Sequence, residues 1–134
     1  MSKNVFVLDS FALMAYFQEE RGAAAVQGFI KKAQHKDCVL KLSAMNWGEI
    51  YYNIVRSKGP VAGQEYLILM ERFPIEVVDI DRGMIMEAAS WKARCAMSYA
   101  DCFAAALAQR EGAAVITGDK EFHQIAHEIP IHWI

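Results

Sequence analysis

The sequence predicts an α/β fold with a mostly parallel central sheet of about five strands. Short apolar runs rich in β-formers alternate with longer segments whose apolar residues recur at helical spacing. Strands that alternate with helices imply a parallel sheet with helices on both faces. The length of 134 residues, with 54% hydrophobic and 22% charged residues, suits a single domain over residues 1–134 with one core.

The first half of the chain carries two predicted strands and four predicted helices. Residues 4–8 form a continuous apolar run, which is typical of a strand buried on both faces. Turn signals at Arg21-Gly22 and Gly59-Pro60 interrupt the helical patterns. In order, we predict a strand over 4–8, helices over 11–17 and 23–34, a strand over 38–42, a helix from the N-cap Ser43 to about Ser57, and a helix over 61–73.

The second half continues the alternation. Gly112 is predicted to end an alanine-rich helix, and Pro130 is tolerated only in an edge strand. In order, we predict a strand over 75–80, a helix from the cap Asp81 toward Arg94, a helix from Ser98 through Glu111, a strand over 113–116, a short helix from Asp119 to about Ile125, and an edge strand over 129–133.

Composition narrows the classes of function. No run approaches eighteen apolar residues, and the N-terminus lacks a signal-peptide core, so we expect a soluble cytoplasmic protein with no membrane partner. Three cysteines without a Cys-x-x-Cys pair suggest reduced thiols rather than disulfides or a zinc site: Cys38, Cys95 and Cys102. The net charge of −2 argues against binding of nucleic acid by electrostatics alone.

Four acidic residues are the candidate site. Asp9 and Asp119 each follow a predicted strand, whereas Glu49 and Asp101 lie early in predicted helices. Ligands of open parallel sheets bind outside the carboxyl ends of the strands, so these carboxylates are expected to converge. Converging carboxylates repel one another unless a cation lies among them, and hard oxygen ligands favour Mg²⁺ or Mn²⁺. Without these four groups the remaining charge balance is +2, which permits a polyanionic substrate.

Each carboxylate also has a structural interpretation. Asp9 and Asp119 could cap the helices that follow them, and Asp101 stands three residues after Ser98, the spacing of a capping box. Glu49 shares a polar strip with Asn46 and could belong to a solvated helix face. Spacing alone leaves both interpretations open.

Four short segments together resemble the PIN domain. They are Val7-Leu8-Asp9-Ser10, Ser43 through Asn46 to Glu49, Tyr99-Ala100-Asp101, and Thr117-Gly118-Asp119 with Phe122. The length also resembles that of VapC-like toxins of type II toxin-antitoxin systems. The resemblance implies a three-layer α/β/α sandwich and a Mg²⁺- or Mn²⁺-dependent endoribonuclease. It also implies inhibition by a small antitoxin and a homodimer. Cys102 departs from the family, which more often has alanine or another small residue there.

The hypothesis for the mechanism assigns Asp9, Glu49, Asp101 and Asp119 to one or two divalent ions that activate water for phosphodiester cleavage. No histidine base is then required. Supporting roles are assigned to Ser10, Asn46, Thr117 and Glu121, and RNA contacts to Arg56, Lys120, Lys92 and Arg94.

Other classes of protein fit less well. A haloacid dehalogenase phosphatase needs a second Asp two residues after the first, where this chain has Phe11, and a receiver domain needs paired acids after its first strand. The remaining alternative is a catalytically inactive PIN-like scaffold that binds RNA or protein. Two apolar sets could leave grooves for an antitoxin helix or a second subunit. They are Phe11, Met14, Tyr16 and Phe17, and Tyr51, Tyr52, Tyr66, Leu67 and Met70.

Overall fold

The structure, a computed structural model, describes residues 4–134 and contains a five-stranded sheet in which all strands are parallel. The strand order is β3-β2-β1-β4-β5. This arrangement confirms the predicted fold class. The strands are β1 (Asn4–Leu8), β2 (Cys38–Ser43), β3 (Ile75–Val78), β4 (Ala114–Thr117) and β5 (Ile131–Trp133).

Helices connect successive strands. Polar side chains cap four of the α-helices: Asp9, Ser43, Asp81 and Ser98 each accept a hydrogen bond from a backbone N–H of the first turn. The α-helices are α1 (Ser10–Phe17), α2 (Ala23–Gln34), α3 (Ala44–Lys58), α4 (Pro60–Arg72), α5 (Arg82–Arg94) and α6 (Tyr99–Glu111), and a 3₁₀ helix spans Lys120–Ile125.

Four strands differ in extent from the prediction: β2 continues one residue further, to Ser43, β4 spans Ala114–Thr117 instead of 113–116, and β3 and β5 are shorter than expected. β3 was expected to reach Ile80 but ends at Val78, which pairs with Ser43, the last residue of β2. β5 begins at Ile131 instead of residue 129, and Ile129 packs into the core. Strand ends are therefore determined by the length of the neighbouring strand, which local composition does not reveal.

The hydrophobic core forms two layers, one on each face of the sheet. Because side chains alternate along a strand, Val7 contributes to one face and Leu8 to the other. The Val7 face is covered by α5, α6 and the 3₁₀ helix, and the Leu8 face is covered by α1 to α4. The domain is thus the predicted three-layer α/β/α sandwich.

The strand order reverses between β1 and β4, which pair with each other although they lie at opposite ends of the chain. In open α/β sheets, ligands bind at such a switch point, outside the carboxyl ends of the strands. Asp9 and the Thr117-Gly118-Asp119 segment lie there. None of the helices within residues 4–134 is long and apolar enough to cross a membrane.

Candidate active site

Asp9 lies at the centre of the switch point and is fully buried. Its Oδ1 accepts a hydrogen bond of 2.9 Å from the backbone N–H of Ala12, and its Oδ2 accepts one from the hydroxyl of Thr117. The pKa of Asp9 is raised to about 8, mainly by burial and in smaller part by the nearby Asp101 and Asp119, against the opposing effect of the two hydrogen bonds. The side chain is therefore a helix cap and a buried acid at once.

Thr117 links Asp9 to the next acidic segment. Its Oγ1 accepts a hydrogen bond of 2.9 Å from the backbone N–H of Asp119. The Oδ1 of Asp119 in turn accepts one of 2.9 Å from the N–H of Glu121 and caps the 3₁₀ helix. These bonds hold the turn after β4 in one conformation, with both of its carboxylates on the side of Asp101.

Gly118 allows this turn to pass close to its neighbours. A Cβ atom at this position would lie 2.5 Å from Cε1 of Phe11 and 3.1 Å from the backbone oxygen of Ile134. A larger residue would therefore displace the turn that carries Asp119. The sequence alone does not reveal this contact, because Phe11 and Ile134 lie far from Gly118 along the chain.

Asp101 approaches the same place from α6. Its backbone N–H donates to the Oγ of Ser98, so the capping role predicted for Ser98 is confirmed, while the Asp101 carboxylate remains directed at other acids. The pKa of Asp101 is raised to about 7, mainly by burial and also by the nearby Asp119, Glu49 and Glu121, while a hydrogen bond with Ser98 opposes the shift. The alanine run behind it is completely buried, which lets α6 pack closely against the sheet: Ala104, Ala105, Ala106 and Ala108.

Three carboxylates form a compact cluster. Oxygen atoms of Asp101, Asp119 and Glu121 all lie within 4.8 Å of one another. Asp9 and Glu49 lie outside this cluster but close to it. Asp101 and Asp119 raise the pKa of Asp9, and Glu49 raises the pKa of Asp101. The fold thus brings all four predicted acids to one region, and it places Glu121, expected only in support, within the tightest group.

Asn46 connects Glu49 to α6. The side chain is completely buried, and its Nδ2 donates to the carbonyl oxygen of Ala100 at 3.2 Å and to Oε1 of Glu49 at 3.4 Å. Its Oδ1 is buried and has no hydrogen-bond partner among residues 4–134. The solvated-face interpretation is therefore wrong for Asn46. Ser10, the other polar side chain expected in support, is also buried, at the start of α1.

The donor set fits a divalent cation that prefers oxygen ligands. Two of the acids have pKa values raised toward neutrality by burial and mutual repulsion, so the charges of the group lack compensation within the described chain. Carboxylates and an amide oxygen are suitable ligands for such a cation. The unpartnered Oδ1 of Asn46 is one more oxygen of this kind in the same region.

The four candidate RNA-contacting residues differ in their surroundings. Lys92 donates to the carbonyl oxygen of Met97 at 2.7 Å, and Arg94 forms an ion pair with Glu128 at 3.3 Å. The Arg56 guanidinium lies 5.1 Å from the centre of the Tyr52 ring, and Lys120 is exposed beside Asp119. Arg56 and Lys120 are thus more available to a substrate than Lys92 and Arg94.

Histidines show packing contacts rather than catalytic ones. His123 stacks on Trp133 with a centroid separation of 4.3 Å, and His132 meets Phe29 edge to face at 4.8 Å. The rings of His123 and His132 thus take part in aromatic packing.

Solved structures with the same fold come from toxin-antitoxin complexes and toxins. VapBC2 from Rickettsia felis bound to a promoter DNA fragment has a TM-score of 0.74 at 16% identity, covering 96% of this chain and 97% of that chain. DNA-bound VapBC from Salmonella typhimurium has 0.72 at 19% identity, covering 98% of each. VapC20 from Mycobacterium tuberculosis, a toxin that cleaves the Sarcin-Ricin loop, has 0.70 at 18% identity, covering 90% and 94%.

These likenesses establish the fold. No curated protein sequence matches the chain. The sequence profile of the PIN domain, however, matches residues 6–128 and so includes every candidate site residue. The chain therefore belongs to the PIN-domain family, whose members are nucleases.

Proposed function

We propose that this protein is a Mg²⁺- or Mn²⁺-dependent endoribonuclease and the toxin of a toxin-antitoxin pair. The observation that carries the proposal is the approach of Asp101, Asp119 and Glu121 to within 4.8 Å at the carboxyl end of a parallel sheet. Asp9 and Glu49 lie beside this cluster, since Asp101 and Asp119 raise the pKa of Asp9 and Glu49 raises the pKa of Asp101. A group of acids this dense is costly to a fold unless cation binding makes use of it.

Asp9, Glu49, Asp101 and Asp119 would hold one or two ions, and Glu121 would join them. When bound, a divalent ion supplies Lewis acidity that acidifies water and offsets charge on a phosphodiester. The remaining roles fall to the residues that orient these acids. Thr117 fixes Asp9 through its hydroxyl, and Asn46 holds Glu49 and the start of α6 through its amide.

Of the four candidate cations, Arg56 and Lys120 would bind the substrate, because they have fewer competing contacts than Lys92 and Arg94. Among residues 4–134 no carboxylate lies within 4 Å of the Arg56 guanidinium or the Lys120 ammonium. Both belong to segments that carry site acids, since Arg56 is on the same helix as Glu49 and Lys120 follows Asp119 directly. They would contact phosphates of the RNA.

A small antitoxin would be the protein partner, in keeping with the VapBC complexes that share this fold. A recess of about 350 Å³ with both apolar and polar walls offers it a surface between α1, α2 and α4. Its walls include Tyr16, Phe17, Tyr66 and Leu69, several of which were predicted to leave a groove. We also propose that the protein forms a homodimer, by analogy to the family.

Cleavage of RNA with defined substitutions tests the enzymatic proposal. Asp9→Asn and Asp101→Asn should each abolish cleavage of a single-stranded RNA in the presence of Mg²⁺ or Mn²⁺, whereas Glu65→Gln, which alters an exposed acid on α4, should cut like the wild type. EDTA should stop the wild-type reaction. Undiminished cutting by both Asn variants would overturn the mechanism and favour a scaffold that binds RNA without cutting it.

The toxin role has its own test. Induced expression of the wild type without its neighbouring gene should arrest growth, and expression of Asp101→Asn should not. Normal growth with an active wild-type nuclease would contradict the toxin role and leave the nuclease in place.

A further inference from the structure

A second recess adjoins the acidic cluster and is apolar rather than charged. It has a volume of about 490 Å³ and lies between one face of α3, the segment after β3 and the first turn of α6. Its size falls within the range of small-molecule sites in proteins. The lining residues are Ala44, Met45, Gly48, Glu49, Tyr52, Ile80 and Ala100.

This recess is continuous with the candidate metal site. Glu49 lies on its wall, and Ala100 directly precedes Asp101. The carbonyl oxygen of Ala100 accepts the hydrogen bond from Asn46 that joins α3 to α6. Whatever enters the recess therefore lies beside the phosphate that the acids would act on.

Gly48 keeps the recess open without serving the fold. A Cβ atom built on Gly48 meets no atom within 4 Å, so no packing contact requires glycine here. Glycine inside a helix is less stable than alanine, and Gly48 lies in the interior of α3. The missing side chain of Gly48 leaves room in the apolar recess for a ligand.

Tyr52 and Arg56 have the side-chain chemistry that binds a nucleotide. The Tyr52 ring is 47% exposed at the mouth of the recess, and the Arg56 guanidinium lies 5.1 Å from its centre. An exposed aromatic ring stacks with bases of single-stranded nucleic acid, and an arginine beside it adds a cation for the backbone. If a protein partner inserted an apolar side chain into the recess, the side chain would fill it but would not contact the Arg56 guanidinium. A nucleotide would use both the recess and the cation.

We propose that the recess is a base subsite, in which an unpaired nucleobase adjacent to the scissile phosphate inserts over Gly48 and stacks on Tyr52 while Arg56 contacts a neighbouring phosphate. This inference rests on the proposed nuclease function and adds the residues that would bind a base beside its acids. A base inside a duplex is already stacked on both sides, so the protein would require single-stranded or looped RNA.

The matched pair Gly48 and Gly28 tests the subsite. Gly28 is also a helical glycine, in α2, and a Cβ there likewise meets no atom within 4 Å, but it lines no part of the recess. Gly48→Ala and Gly28→Ala should both raise the melting temperature, by about 3 °C. Gly48→Leu should fill the recess and weaken RNA binding roughly 5- to 150-fold, the loss expected for one stacked base, whereas Gly28→Leu should bind like the wild type.

Binding is measured by fluorescence anisotropy with labelled oligoadenylate, oligouridylate and a short RNA duplex, in an Asp101→Asn background so that the probe stays intact. Tyr52→Ala should weaken binding of the single strands, and Tyr52→Trp should restore it. The control is Tyr66→Ala. Tyr66 also has a cation over its ring, since the Lys58 ammonium lies 5.4 Å from the ring centre, but it lines the recess between α1, α2 and α4. This variant should therefore bind RNA like its parent. Duplex RNA should bind more weakly than either single strand.

The outcomes separate the subsite from the nuclease. If the wild type cuts RNA while Gly48→Leu and Tyr52→Ala bind as tightly as their parent, the base subsite is overturned and the nuclease stands. If Gly48→Leu loses a co-expressed protein partner but keeps RNA binding, the recess is a protein contact and the subsite is again overturned. A wild type that neither binds nor cuts RNA overturns both.

Discussion

The hydroxyl of Thr117, at the end of β4, donates a hydrogen bond to Oδ2 of Asp9, which follows β1 and lies 108 positions earlier in the chain. The same hydroxyl oxygen accepts the backbone N–H of Asp119. One side chain therefore sets the position of a buried acid on one strand and of the turn that carries two more acids on the next. The site depends on this contact as much as on the acids themselves.

Thr117→Val tests that dependence, because valine has the same shape and lacks the hydroxyl. It leaves a buried oxygen of Asp9 and the N–H of Asp119 without a partner, so the free energy of unfolding should fall by about 1–3 kcal/mol. Urea denaturation in EDTA measures the loss, and RNA cleavage should fall with it. Thr117→Ser keeps the hydroxyl and should retain most of both. Equal stability of Thr117→Val and the wild type would show that the hydrogen bond is not important.

The metal-free protein should lose stability as the pH rises. The pKa values of Asp9 and Asp101 are raised to about 8 and about 7, above the unfolded value of about 4. A carboxyl with a raised folded pKa stabilises the fold fully below the unfolded pKa, and this contribution is lost as the pH rises through the folded pKa. In EDTA, the melting temperature should therefore fall between about pH 5 and about pH 8.

Two comparisons identify the source of this fall. Asp9→Asn removes the buried charge, so its melting temperature in EDTA should depend less on pH and exceed that of the wild type near pH 8. Mn²⁺ should raise the melting temperature of the wild type most at high pH, where ligand carboxylates are ionised. A wild-type melting temperature that stays constant across this range in EDTA would contradict the raised pKa values.

The elements that sequence predicted best are those with local signals. The apolar run of β1 and the helical spacing of α2 were predicted with the bounds that the structure shows, because burial on two faces or on one stripe leaves a pattern within the segment itself. β3 was predicted two residues too long, because its end depends on where β2 stops. A boundary set by a neighbouring strand has no local signal.

The candidate site also shows which features have a local signal in the sequence and which depend on distant residues. The positions of Asp9 and Asp119 after strands were readable, since parallel strands end at one edge of the sheet. The burial of Asn46 was not readable, because it depends on a hydrogen bond to Ala100, 54 positions away. The role of Gly48 also needed coordinates, since a glycine in a helical pattern does not reveal what its missing side chain would meet.

Gly118→Ala should disturb the site through packing. The new methyl group would meet the ring of Phe11 and the backbone oxygen of Ile134, and overpacking of this kind costs about 1–3 kcal/mol. Phe11 is 41% exposed, so its ring can move, whereas Ile134 is held by the hydrogen bond from its backbone N–H to the carbonyl oxygen of Thr117. The rate of RNA cleavage should fall even under conditions where the variant stays folded, because the displaced turn carries Asp119, the next residue.

A double-mutant cycle separates the two contacts. If the ring causes most of the clash, Phe11→Ala combined with Gly118→Ala should destabilise the protein less than the sum of the single changes. Denaturation of the four proteins in urea gives the coupling. Additive losses would assign the clash to the backbone of Ile134 instead.

Glu121 is the acid whose membership of the metal site most needs a measurement. It is exposed, yet one of its oxygens lies within 4.8 Å of those of Asp101 and Asp119. The hydrogen bond that ties this residue to Asp119 comes from its backbone N–H, so Glu121→Gln removes the charge without breaking the turn. If Glu121 is a ligand, this variant should bind Mn²⁺ about tenfold or more weakly, by calorimetry.

Two further variants serve as controls for that result. Asp101→Asn, which removes a buried acid of the same cluster, should lose at least as much Mn²⁺ affinity, and Glu65→Gln should lose none because it lies on α4, outside the cluster. Thermal denaturation without metal should be nearly unchanged for Glu121→Gln, since this carboxylate is solvated. Wild-type affinity in Glu121→Gln together with weakened binding in Asp101→Asn would place Glu121 outside the ligand set and reduce the acids to Asp9, Glu49, Asp101 and Asp119.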